Sequence, residues 1–123
     1  MKPTPLTLDE YFSDHDDSRA LYQAVAAALS AIGEYEQRVT RSQVAFRRQR
    51  AFAWVWMPGK YLRGDVAPLV LTLDLRRRDE SPRWKEVVEP RPGLFTHHLE
   101  LYSATDIDAE VLNWLREAWE KAA

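Results

Sequence analysis

The chain has 123 residues, a formal net charge of −2, 46% apolar and 29% charged residues, and no cysteine. That length and balance fit one globular domain over residues 1–123 and argue against wholesale disorder. The missing thiol excludes a disulfide framework, zinc–thiolate and iron–sulfur centres and a cysteine nucleophile.

The opening MKPTPLTLDEYF has neither the apolar run of a signal peptide nor a span long enough for a membrane helix, so the expected location is cytoplasmic, with no membrane partner. Within residues 1–16, a lead-in and short helix, Thr7 and Glu10 form a capping box that satisfies two orphan amides. A longer helix is expected from Asp17 or Ser18, with Leu21, Val25, Ala28, Leu29 and Ile32 on one face and Gly33 as its stop. The preceding DHDD suits a helix N-terminus and lacks the glycine and glutamate of a calcium loop.

Strands fill the centre. EQRVT, QVAFR and AFAWVW are rich in β-branched and aromatic residues, and RRQR would join the last two through a four-residue connection with Arg47, Arg48 and Arg50 at the tip. Alternation predicts that Phe52, Trp54 and Trp56 share one face of their strand and Ala53, Val55 and Met57 the other. LVLTLDL sets four leucines against Val70, Thr72 and Asp74. A lesser strand is expected in KEVVE. LFTHHLELY places Phe95, His97, Leu99 and Leu101 opposite Thr96, His98, Glu100 and Tyr102. A final helix, capped by Ser103 or Thr105, carries Ile107, Val111, Leu112, Trp114, Leu115, Ala118 and Trp119 as an apolar stripe. The implied fold is an α+β sandwich, an antiparallel sheet with the N- and C-terminal helices packed on one face.

TLDEYF, RVTRSQVAFR, FAWVW, SPRWKEVVEP and HHLELYSATDIDAEVLNWLREAW, in this order, resemble a bacterial family catalogued as domain of unknown function 5655. The resemblance spans nearly the whole chain and implies a fold but no activity, cofactor or catalytic residue. His97 matches the family's pattern better than His98.

The residues themselves bound the chemistry. Four scattered glycines exclude a phosphate-binding loop, and Ser42, Ser81 and Ser103 suit turns and caps better than nucleophilic catalysis. His97, on an apolar face, is expected to be a core histidine; His98 and Glu100 project together, but a metal site needs a third ligand that the sequence does not identify. No metal or cofactor is expected.

Charge is segregated: residues 1–37 carry seven acids against two bases, and residues 38–91 thirteen bases against six acids. Basic strands and acidic helices can neutralise each other within the fold, or the middle can meet an anionic partner. The expected function is a non-enzymatic binding module. Trp54 and Trp56 floor an aromatic site with Tyr61 on a loop above and Asp74, His98 and Glu100 at the rim, for a small ligand or partner segment. That assignment needs the alanine-bearing face under the helices; the reverse, with the tryptophans as core, stays open. The runner-up is nucleic-acid binding, with Arg47, Arg48, Arg50, Arg76, Arg77 and Arg78 on phosphates. An enzyme using His98 and Glu100 ranks third.

Overall fold

A computed structural model describes residues 6–123; the lead-in before Leu6 lies outside the described residues. Helix α1 (Leu8–Tyr11) begins at the Thr7–Glu10 capping box, with both reciprocal hydrogen bonds at 3.1 Å. Helix α2 (Asp16–Ile32) starts just before the expected point. Asp16 and Asp17 in its first turn offset the positive end of the helix dipole, and Ser18 donates to the Pro68 carbonyl at 2.7 Å. At Gly33 the backbone turns extended and α2 ends, and the position requires glycine for a steric reason: a Cβ there would collide with the Trp119 ring.

Six strands follow: β1 (Glu36–Val39), β2 (Val44–Arg47), β3 (Ala51–Trp56), β4 (Leu69–Leu75), β5 (Glu86–Arg91) and β6 (Leu94–Leu101). They form one antiparallel sheet in the order β1-β2-β3-β4-β6-β5. Short connections make most neighbours sequential, and β6 inserts between β4 and β5 to pair with both. Its hairpin with β5 turns through Pro92 and Gly93, where Gly93 takes a φ of 81° that side chains disfavour.

Helix α3 (Ala109–Lys121) completes the fold. The expected caps act one step earlier: Ser103 and Asp106 form a capping box on a single 3-10 turn, Ala104–Asp106, and α3 is capped by Asp108, which accepts from the Val111 N–H. Ile107 therefore precedes the helix. Leu112 turns outward at 38% exposure, leaving Val111, Trp114, Leu115 and Ala118 as the buried stripe.

Both long helices pack on the same face of the sheet. The core joins Leu21, Val25 and Leu29 of α2 and Val111, Trp114 and Leu115 of α3 to Ala53, Val55, Leu69, Leu71, Leu73, Leu75, Leu99 and Leu101. Each fully buried leucine contributes roughly 1.5–3 kcal/mol of transfer free energy. The small face of β3 thus lies under the helices, and Trp54 and Trp56 lie on the other side, partly exposed. Phe52 departs from the alternation. The β2–β3 connection has three residues, Arg48–Gln49–Arg50, and the register runs Phe46 to Ala53 but Arg47 to Ala51, so Phe52 is the extra residue of a bulge. A bulge re-aims side chains, and Phe52 sits in the core at 1% exposure.

Candidate functional site

The face of the sheet away from the helices holds a cleft of about 530 Å³. The register dictates its floor: Trp54 lies opposite Thr72, and Thr72 opposite His98, so β3, β4 and β6 place these three side chains in one row. The next row pairs Asp74 with Thr96. Trp56 reaches diagonally, its indole N–H donating to Thr72 Oγ1 at 2.9 Å. Thr72 Oγ1 in turn lies 2.8 Å from His98 Nδ1. Tyr61, 56% exposed, stands at the mouth with its ring 6.3 Å from Trp56 and its hydroxyl 3.5 Å from the Ser42 carbonyl.

Burial lowers the His98 pKa from its ordinary value, against the smaller raising effects of Glu86 and Asp74, so the imidazole is neutral at pH 7. With Thr72 Oγ1 already accepting from Trp56, the hydroxyl proton is directed at His98 Nδ1. The proton of the neutral ring then resides on Nε2. Asp74 is shifted the other way: burial raises its pKa, opposed by the hydrogen bond from Thr96 Oγ1 at 2.8 Å and by the charges of Arg76 and Arg91. The Trp54 indole N–H has no partner among the described residues.

Five of the six residues expected at an aromatic site, Trp54, Trp56, Tyr61, Asp74 and His98, line this one cleft. Glu100 does not; it faces Lys85 at 3.6 Å and shares no hydrogen bond with His98. Thr72, which alternation sets on the same face of its strand as Asp74, lines the cleft too, as do Thr96, Gln43 and Leu94. Thr72 joins Trp56 to His98, a link that only the pairing of β3, β4 and β6 reveals.

His97 points to the opposite face and is fully buried. Its Nε2 accepts from the Asp79 N–H at 3.0 Å, and its Nδ1–H donates to the Phe95 carbonyl at 3.0 Å. The ring packs 4.7 Å from Trp84, whose N–H donates to Asp79 at 2.8 Å. These contacts hold the segment between β4 and β5 against the core. Burial lowers the His97 pKa as well, which suits a ring that must keep Nε2 as an acceptor.

The arginines of the nucleic-acid reading do not converge. Arg48 lies over the Trp119 ring at 3.7 Å and donates to its carbonyl, Arg77 forms a two-pronged pair with Glu117 and also binds Asp79, and Arg47 donates to the Gln49 carbonyl. Arg78 sits 5.6 Å from the Phe95 ring. Arg50 and Arg76 are found elsewhere, at one end of the cleft. Among the described residues, no group of three or more acidic or histidine side chains is placed to hold a metal ion, and no helix is long and apolar enough to cross a membrane.

The model of one family, a domain of unknown function numbered 5655, matches residues 8–122. The chain belongs to that family. No curated protein and no solved structure matches it.

Proposed function

We propose that this domain is a non-enzymatic binding module whose ligand, a small molecule, lies on Trp54 and Trp56 in the cleft of the open sheet face. The observation that carries this reading is the pairing of two partly exposed indoles with fixed polar groups in one concavity of about 530 Å³. Flat rings exclude water over a wide area, and a few oriented donors set specificity. The floor is rigid because it is built on the three central strands of the sheet. The polar groups are pre-oriented because Thr72 fixes the His98 ring and Thr96 the Asp74 carboxyl.

The nucleic-acid reading has less support, since Arg48 and Arg77 are engaged within the fold. An acid–base reading for His98 and Glu100 lacks contact between the two, and a bacterial, cytoplasmic setting remains an expectation from sequence.

A thermal-shift screen of small aromatic compounds, repeated on Trp54→Ala, tests the proposal. The variant is expected to fold at a cost below about 2 kcal/mol and to lose the shifts that the wild type shows. A cost of roughly 3–5 kcal/mol, the value for a core tryptophan, together with fluorescence that iodide does not quench, would overturn it.

A further inference from the structure

The cleft is not closed at both ends. At the end away from Tyr61 it continues into a smaller hollow of about 170 Å³, sharing Trp54, Asp74 and Leu94 with the floor already described. The antiparallel topology gathers cations there. Arg76 follows the last residue of β4, Arg91 is the last residue of β5, Arg50 precedes β3 and Lys121 ends α3. All four side chains line the hollow or its rim, are exposed, and form no ion pair with another side chain among the described residues. The one carboxyl among them is Asp74, already bonded to Thr96. Two of the carbonyls at the end of α3 are engaged: Gln49 N–H donates to that of Ala122, and Arg48 to that of Trp119. Besides the second oxygen of Asp74 and the Gln43 amide, the adjoining floor offers two donors, the Trp54 N–H and the His98 Nε2–H.

We propose that the cleft selects a small planar organic anion, its ring on Trp54 and Trp56 and its acidic group at Arg76 and Arg91. This rests on the preceding reading of the cleft as a ligand site. Four unpaired cations against one carboxyl give that end a net positive field, and field lines concentrate in a concavity walled by apolar rings. Guanidinium groups match carboxylate, sulfonate and phosphate oxygens alike by presenting paired donors, so the chemistry chosen is an oxyanion attached to an aromatic body. Most of the contact area comes from the indoles and the discrimination from the arginines.

Two fluorescent probes separate these contributions: 8-anilinonaphthalene-1-sulfonate and its neutral counterpart N-phenyl-1-naphthylamine, which lacks the sulfonate. Each is titrated against the full chain, against Arg76→Gln/Arg91→Gln and against Trp54→Ala, with circular dichroism and the urea midpoint recorded for each variant. The wild type should bind the sulfonate roughly fivefold more tightly than the neutral probe, from two solvent-exposed charge contacts. The preference should shrink at high salt. The double arginine variant should lose the preference while keeping affinity for the neutral probe, and Trp54→Ala should weaken both. Equal affinity in the wild type, or a preference that survives the double variant, would overturn the anion end while leaving the aromatic floor intact. Failure of both probes to bind the wild type would overturn the ligand site itself.

Discussion

Replacing His97 by Phe keeps a ring against Trp84 and removes both ring nitrogens. In the native protein the Asp79 N–H and the Phe95 carbonyl are each satisfied by His97, which is fully buried. Leaving one buried polar group without a partner costs about 1–3 kcal/mol, so the two together cost roughly 2–6 kcal/mol at most. With a urea m-value of about 1.5 kcal/mol per molar, a cost of about 3 kcal/mol moves the midpoint down by roughly 2 M. The wild type should also show a pH signature. Burial depresses the folded-state pKa of His97, and of His98, below the ordinary value of 6.5. As the pH falls below about 6.5, the unfolded chain takes up protons that the folded chain refuses, so stability is complete above that pH and declines towards the depressed values. Urea titrations at pH 7.5, 6.5 and 5.5, conditions about one pH unit apart around the histidine range, should show this decline in the wild type and a shallower one in His97→Phe. An unchanged midpoint at pH 7.5, or equal pH slopes for the two proteins, would refute the reasoning.

Gly33→Ala should destabilise the fold by more than the usual small surface effect, because the new methyl would collide with the Trp119 ring; Gly33→Ala/Trp119→Leu should recover part of the loss, measured by denaturant midpoint. For nucleic acid, fluorescence anisotropy with a labelled single strand should detect at most weak binding, and Arg47→Ala/Arg48→Ala should change its salt slope little; submicromolar, salt-steep binding lost in that variant would reverse the ranking of the two functional readings.

The order and extent of the elements were legible because their periodicities are strong. AFAWVW and LVLTLDL occupy β3 and β4 from end to end, and the helix stripes face the core. What sequence left open is which face of β3 the helices cover, since both are apolar. Packing decides it: Ala53 and Val55 allow the helices close approach, and the indoles stay outside. The Phe52 bulge was invisible to alternation because a bulge adds a residue without changing composition. The cap of α3 was misplaced because Ser103, Thr105, Asp106 and Asp108 are all competent caps, and a 3-10 turn used the first set before the helix began. The pairing of Arg77 with Glu117 and of Arg83 with Asp108 and Glu110 joins residues far apart in sequence, so the segregated charge, which basic strands and acidic helices can neutralise between them, finds its particular partners only in the fold.

His97 and His98 are adjacent in the chain, both depressed by burial, and assigned to opposite faces by the two-residue period of β6. Their hydrogen bonds separate their roles. His97 has both nitrogens satisfied within the protein, Nδ1–H by the Phe95 carbonyl and Nε2 by the Asp79 N–H, so nothing in the ring is left for a ligand. His98 has Nδ1 engaged by Thr72 and no protein partner for Nε2–H among the described residues. One contact fixes the ring and tautomer, and the other nitrogen remains a directed donor beside the Trp54 indole. A charged His98 carries a proton on Nδ1, so Thr72 Oγ1 would have to accept from both Trp56 and His98 and turn its own proton away. Trp56 and Thr72 hold their places in either state, because a hydroxyl oxygen can accept twice, and Nε2–H is a donor in both; what neutrality sets is the direction of the Thr72 hydroxyl proton.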